Sequence, residues 1–234
     1  MLQEEPFSQG QLLLPDTPPE PVAAAEGLPY AGTVLIVVSL LLFLLILRSF
    51  LNVLPYLADS VLRARGSATL ENSVKISRDR NWVALVFLIP AILLIFRYRL
   101  YDPSFVRDLH PDLRLLAVAG VFLGYLLVRY LFYRWAQPRR RYDDYQMGYR
   151  TGYTYFILLT MLALVTVGVL RMVGCDDLII KTFLLVETGL AYLLYLFRRG
   201  HFLSISCNPL TTFLYLCGLE LVPTSALVAS ALFL

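Results

Sequence analysis

Apolar residues in this chain arrive in six long blocks, and the polar residues collect between them. The blocks run approximately from Ala31 to Leu47, Trp82 to Phe96, Leu115 to Tyr133, Tyr153 to Leu170, Leu178 to Phe197 and Leu210 to Leu234. A helix needs about 17 to 25 such residues to cross the hydrocarbon of a bilayer. Trp82 to Phe96 is the shortest block, and the flanking Asn81, Arg97, Tyr98 and Arg99 can extend it by snorkelling or interfacial anchoring. The pattern predicts an all-α fold: a polytopic membrane bundle of six transmembrane helices over residues 31–234.

Between the first two blocks, Phe50, Leu51, Leu54, Leu57, Val61 and Leu62 form a broad apolar face, followed by Arg63 and Arg65. This reads as an interfacial helix under the bilayer, bent at Pro55, or as an outward continuation of the first membrane helix. The first 30 residues differ from everything that follows. They hold six prolines and five acidic residues, no Lys or Arg, and no apolar run longer than the four residues Val22 to Ala25. They lack the basic start and apolar core of a secretory signal, and a disordered acidic tail is expected.

Composition agrees with the blocks: 58% of the residues are hydrophobic, 16% are charged, and the mean hydropathy is +0.67. The formal net charge of +3 is too small for a nucleic-acid-binding surface. Its distribution is more informative. Alternate loops carry fourteen Lys and Arg on one side and five on the other, with Lys181 left inside the fifth block. The richer side is expected to be cytoplasmic, which places both termini in the periplasm of a bacterial inner (cytoplasmic) membrane.

Glu187 and Glu220 lie at the centres of the last two blocks. A charge at the bilayer midplane costs at least about 2.5 to 3.5 kcal/mol without compensation. On successive antiparallel helices the two carboxylates are expected at similar depth, and two of them close together do not both ionise readily. Pro223, three residues beyond Glu220, removes a backbone donor and frees a carbonyl at Leu219 or nearby. Arg129, Lys181 and Arg171 are candidate counter-charges, and Tyr192, Tyr215 and Thr188 candidate hydrogen-bond donors. Three readings follow: structural glue between helices, proton or cation handling, or a polar contact with a partner subunit.

Two surface patterns complete the picture. Ala117, Gly120 and Gly124 form a small-residue face suited to close helix packing, within the bundle or against another subunit. Beyond the run Arg139-Arg140-Arg141, Tyr142, Tyr145, Tyr149, Tyr153 and Phe156 share one helical stripe. An aromatic stripe behind arginines suits an interface that holds anionic lipid headgroups.

No hydrolase, metalloprotease or nucleotide-binding motif occurs, so neither catalytic residues nor cofactors are expected. The cysteines Cys175, Cys207 and Cys217 are isolated, and no His is spaced to complete a metal site with them. The ending Thr212 to Pro223, of the form FLYLC-x-LE-x-x-P, with the six-segment layout and basic loops, resembles a family of polytopic inner-membrane proteins of Bacteroidota grouped as a domain of unknown function. That resemblance covers roughly Leu35 to the carboxyl end, implies an inner-membrane location, and makes Glu220 and Pro223 part of a motif. The expected role is a non-enzymatic membrane subunit or scaffold of a larger cell-envelope complex, with a membrane-protein partner or a second copy. The alternative is a small proton- or ion-coupled transporter using the intramembrane glutamates.

Overall fold

A computed structural model describes residues 30–62, 73–107, 109–135, 142–206 and 209–233. Every regular element among them is helical: α1 (Tyr30–Leu62), α2 (Val74–Arg97), the single turn α3 (Ser104–Arg107), α4 (Pro111–Trp135), α5 (Tyr142–Met172), α6 (Asp177–Ser206), α7 (Pro209–Leu216) and α8 (Val222–Phe233). A five-residue π-helical segment, Cys217–Leu221, joins α7 to α8. Six helical spans are long and apolar enough to cross a membrane: α1, α2, α4, α5, α6, and the composite of α7, the π segment and α8. The chain is a polytopic membrane helix bundle.

Neighbouring spans in sequence pack as antiparallel pairs, α1 on α2, α5 on α6, and α6 on α7. α2 also packs on α5, and α4 closes the arrangement by touching α1, α2, the π segment and α8. Leucine, isoleucine and valine cover the outer surface, as lipid-facing helices require. The buried residues form small clusters where three helices meet.

Of the apolar face read from the sequence, Phe50 and Leu57 are buried, together with Val53, against Val83, Ala84 and Phe87 of α2 and Ile157 of α5, while Leu51 is exposed. It belongs to a continuous α1 that runs through Pro55, so the separate interfacial helix is replaced by the continuation that the sequence also allowed. Three phenylalanines explain the choice. Phe43, Phe50 and Phe87 pack with ring centroids 5.5, 5.7 and 6.0 Å apart, and burying them gains more than lying on a lipid surface.

At the opposite end the turns are tight. Gly174 has φ +78° and Cys175 N–H donates to Leu170 O at 3.0 Å, so Gly174 ends α5 in the left-handed cap that glycine adopts most easily. The arginines here are locally compensated. Arg114 pairs with Asp102 at 2.7 Å, and Asp177 contacts both Arg171 and Arg97. Arg171 also lies over the Tyr98 ring.

A buried carboxylate clamp as candidate functional site

Glu220 sits on the π segment and is fully buried. Its Oε1 accepts hydrogen bonds from Tyr195 at 2.6 Å, Tyr133 at 2.8 Å and Arg129 at 2.8 Å, and it is paired with Arg199. Arg129 and Arg199 also donate to the Tyr195 hydroxyl, at 2.7 and 3.0 Å. The ring of Tyr133 lies 4.5 Å from the Arg199 guanidinium, and that of Tyr195 lies 5.4 Å from Arg129. One carboxylate thus ties α4, α6 and the sixth span together through two guanidiniums and two phenols.

Each half of the clamp has a local logic. Arg129 and Tyr133 stand four residues apart on α4, and Tyr195 and Arg199 four apart on α6, so each pair shares one helix face. On the sixth span the π turn does the aiming. Val222 N–H bonds back to Cys217 O, five residues earlier, immediately before Pro223, which has no N–H to donate. The Glu220 carbonyl then accepts from Tyr192 Oη at 3.2 Å. This is one residue from the Leu219 carbonyl that the proline signal predicts.

Gly152 of α5 makes room for the assembly. A Cβ placed there meets Arg129 Nη2 at 3.5 Å and the Tyr195 ring at 3.7 Å. A side chain extending toward Arg129 and Tyr195 therefore meets both of them. Arg199 is 1% exposed, and Glu220 Oε2 has no donor among the described residues.

Glu187 is elsewhere. It lies half-buried on α6 beside Thr166 of α5, with Oε1 lacking a donor among the described residues. Tyr195, which holds Glu220, is eight residues further along α6, roughly 12 Å at 1.5 Å per residue. The two glutamates therefore do not share a site, contrary to the expectation of matching depth. The reason is where α6 ends. It continues through Arg198, Arg199, Gly200 and His201 to Ser206, so the hairpin turns later than the apolar block implies. Tyr195 is eleven residues before Ser206 and Glu220 eleven after Pro209, which sets them opposite each other.

Glu220 stands near the middle of the sixth span, eleven residues from Pro209 and thirteen from Phe233. Arg129 and Arg199 lie six and seven residues from the arginine-rich ends of their helices, roughly 10 Å, and reach it from that side. Of the candidate counter-charges Arg129 is used, while Arg171 pairs with Asp177 at the other end. Tyr192 is used, through the backbone of Glu220. The sequence reading missed Tyr133, Tyr195 and Arg199; the matched Arg/Tyr spacing on α4 and α6 was their signal.

Among the described residues nothing packs on the two glycines of the small-residue face. No atom among the described residues lies within 4 Å of a Cβ built at Gly120 or Gly124, and Gly120 is exposed. Ala117 is half-buried on the same helix. Intrachain packing at this face is therefore corrected to an open surface, because α4 turns its neighbouring Leu115 and Val118 inward instead. The stripe from Tyr142 lies on the continuous α5, and its last members, Tyr153 and Phe156, pack into the bundle against the α1–α2 core. Arg139, Arg140 and Arg141, and the side chains of Tyr142, Tyr145 and Tyr149, lie outside the described residues, as does the acidic tail. No family model, curated protein or solved structure matches the chain.

Proposed function

We propose that this protein is a non-enzymatic subunit or scaffold of a larger complex in the bacterial inner membrane, belonging with the Bacteroidota family that its carboxyl-terminal motif resembles. The supporting observation is the open glycine face of α4, which leaves backbone available for close approach by another helix. The clamp supports the same reading. It joins three spans through one carboxylate, as a rigid frame for presenting a helix face requires. The arginine-rich ends then face the cytoplasm.

A proton-coupled transporter needs its carboxylates to converge on a water-accessible path, whereas Glu187 and Glu220 are separated and Glu220 is enclosed. Mild-detergent extraction with crosslinking tests the scaffold. A stoichiometric membrane partner or second copy is expected, and Gly120→Leu should release it while the bundle keeps its melting temperature, since the added side chain meets nothing in the monomer. A clean monomer under gentle extraction overturns the proposal.

A further inference from the structure

α2 and α4 touch near Ile92, Leu93 and Leu115, then diverge toward the arginine-rich end of the bundle. The wedge between them, floored by α5, is a cavity of about 740 Å³. Its walls are leucine from α2 (Leu85, Leu88) and α4 (Leu123, Leu126, Leu127), with Phe156 beneath. Leu85, Leu123 and Leu127 are about half exposed, so the wedge opens sideways into the hydrocarbon as well as toward the membrane surface. From Arg78 to Leu88 is ten residues of helix, roughly 15 Å, the thickness of one leaflet's hydrocarbon.

The polar groups gather at one end only. Arg78, Asn81, Trp82, Arg129 and Tyr130 ring the arginine-rich mouth, and no carboxylate lines the cavity. Trp82 and Tyr130 are both exposed, as interfacial aromatics are. Arg129 faces two ways. One Nη reaches Glu220, while its buried Nε has no acceptor among the described residues. The clamp holds two guanidiniums against one carboxylate, so it carries a net positive charge that a nearby anion offsets in this weakly screened setting.

We infer that the wedge between α2, α4 and α5 is a binding site for an anionic phospholipid of the arginine-rich leaflet, its phosphate held by Arg78 and Arg129 and an acyl chain lying along the leucines. The cationic mouth, the apolar shaft of leaflet depth and the lateral opening together match the two-part chemistry of a lipid. Free phosphate matches only the mouth, and a neutral helix from another chain only the shaft. This inference is independent of the scaffold reading, because the glycine face and the wedge can each fail alone.

The test uses the full chain purified in mild detergent, exchanged into nanodiscs of phosphatidylcholine with or without phosphatidylglycerol, and re-extracted for quantitative lipid mass spectrometry. Retention of about one phosphatidylglycerol per chain over excess phosphatidylcholine is expected. Arg78→Gln should weaken retention about fivefold, the effect of one cation at an anionic headgroup. Leu123→Trp, which fills the shaft from an exposed position, should abolish it while leaving the melting temperature unchanged. Equal retention of both lipids, retention unaffected by either variant, or full protection by inorganic phosphate alone each overturns the assignment. A second copy filling the wedge would show as a dimer that Leu123→Trp disrupts, and that outcome overturns it too.

Discussion

Replacing Glu220 with Gln removes one charge and almost no volume. The amide oxygen still accepts from Tyr133 and Tyr195, so the loss isolates electrostatics. In the native clamp two guanidiniums share one carboxylate, leaving one net positive charge; in Glu220→Gln the same pocket holds two. Arg129, with a side chain 19% exposed, can relax outward, but Arg199 at 1% cannot. Breaking a buried pair by removing one partner costs about 3 to 5 kcal/mol. For a chain of this size that corresponds to a fall of roughly 10 °C in melting temperature. Arg199→Met alone should be milder, because Glu220 keeps Arg129 and both tyrosines. The informative variant is Glu220→Gln with Arg199→Met, which restores the native net charge and should recover several degrees over Glu220→Gln. Fluorescence-detected size-exclusion after heating, in one detergent, reads all four proteins of the cycle, with a coupling of about 0.5 to 3 kcal/mol expected. Additive losses, or a double variant less stable than Glu220→Gln, would show that the carboxylate and Arg199 are not energetically linked.

Gly152→Leu should destabilise the bundle by about 2 kcal/mol by displacing the Arg129 guanidinium, whereas Gly152→Ala, at ordinary contact distance, should be nearly silent; the same heating assay separates them. Glu187→Leu removes a half-buried carboxylate whose Oε1 has no donor among the described residues, and should raise stability by about 1 kcal/mol. A marked loss of stability there would mean that the contact with Thr166 outweighs the cost of burying the carboxylate. Gly174→Ala forces a side chain into φ +78° and should cost about 1 to 2 kcal/mol, seen as a lower melting temperature without change in helical circular dichroism.

The six spans were legible because membrane crossing imposes a length and an apolar composition that block structure reveals directly. What the blocks conceal is where a helix outruns its apolar part. Arg198-Arg199-Gly200-His201 looks like a loop, yet α6 continues through it because Glu220 compensates Arg199 from another span. A tertiary contact decides that boundary, and no local signal carries it. Phe50 through Leu57 posed the reverse problem: an amphipathic face reads alike whether it lies on lipid or on another helix, and Phe87 settles it. Pro223 was legible as a backbone defect, and the π turn is its form. The spacing of Gly120 and Gly124 marks a face without side chains but does not encode what lies against it, and among the described residues nothing does.

The clamp also constrains how the protein enters its membrane. Arg199 and Glu220 belong to successive spans separated by two residues of chain, so each is the other's nearest opposite charge in the fifth and sixth spans. Alone, each span must carry a charge that costs a few kcal/mol to insert. Together, as a helical hairpin, they carry none in net. A chain truncated after α6 would leave Arg199 without the carboxylate that pairs with it in the bundle. Arg129, three spans before Glu220, meets its carboxylate only when the final span is in place.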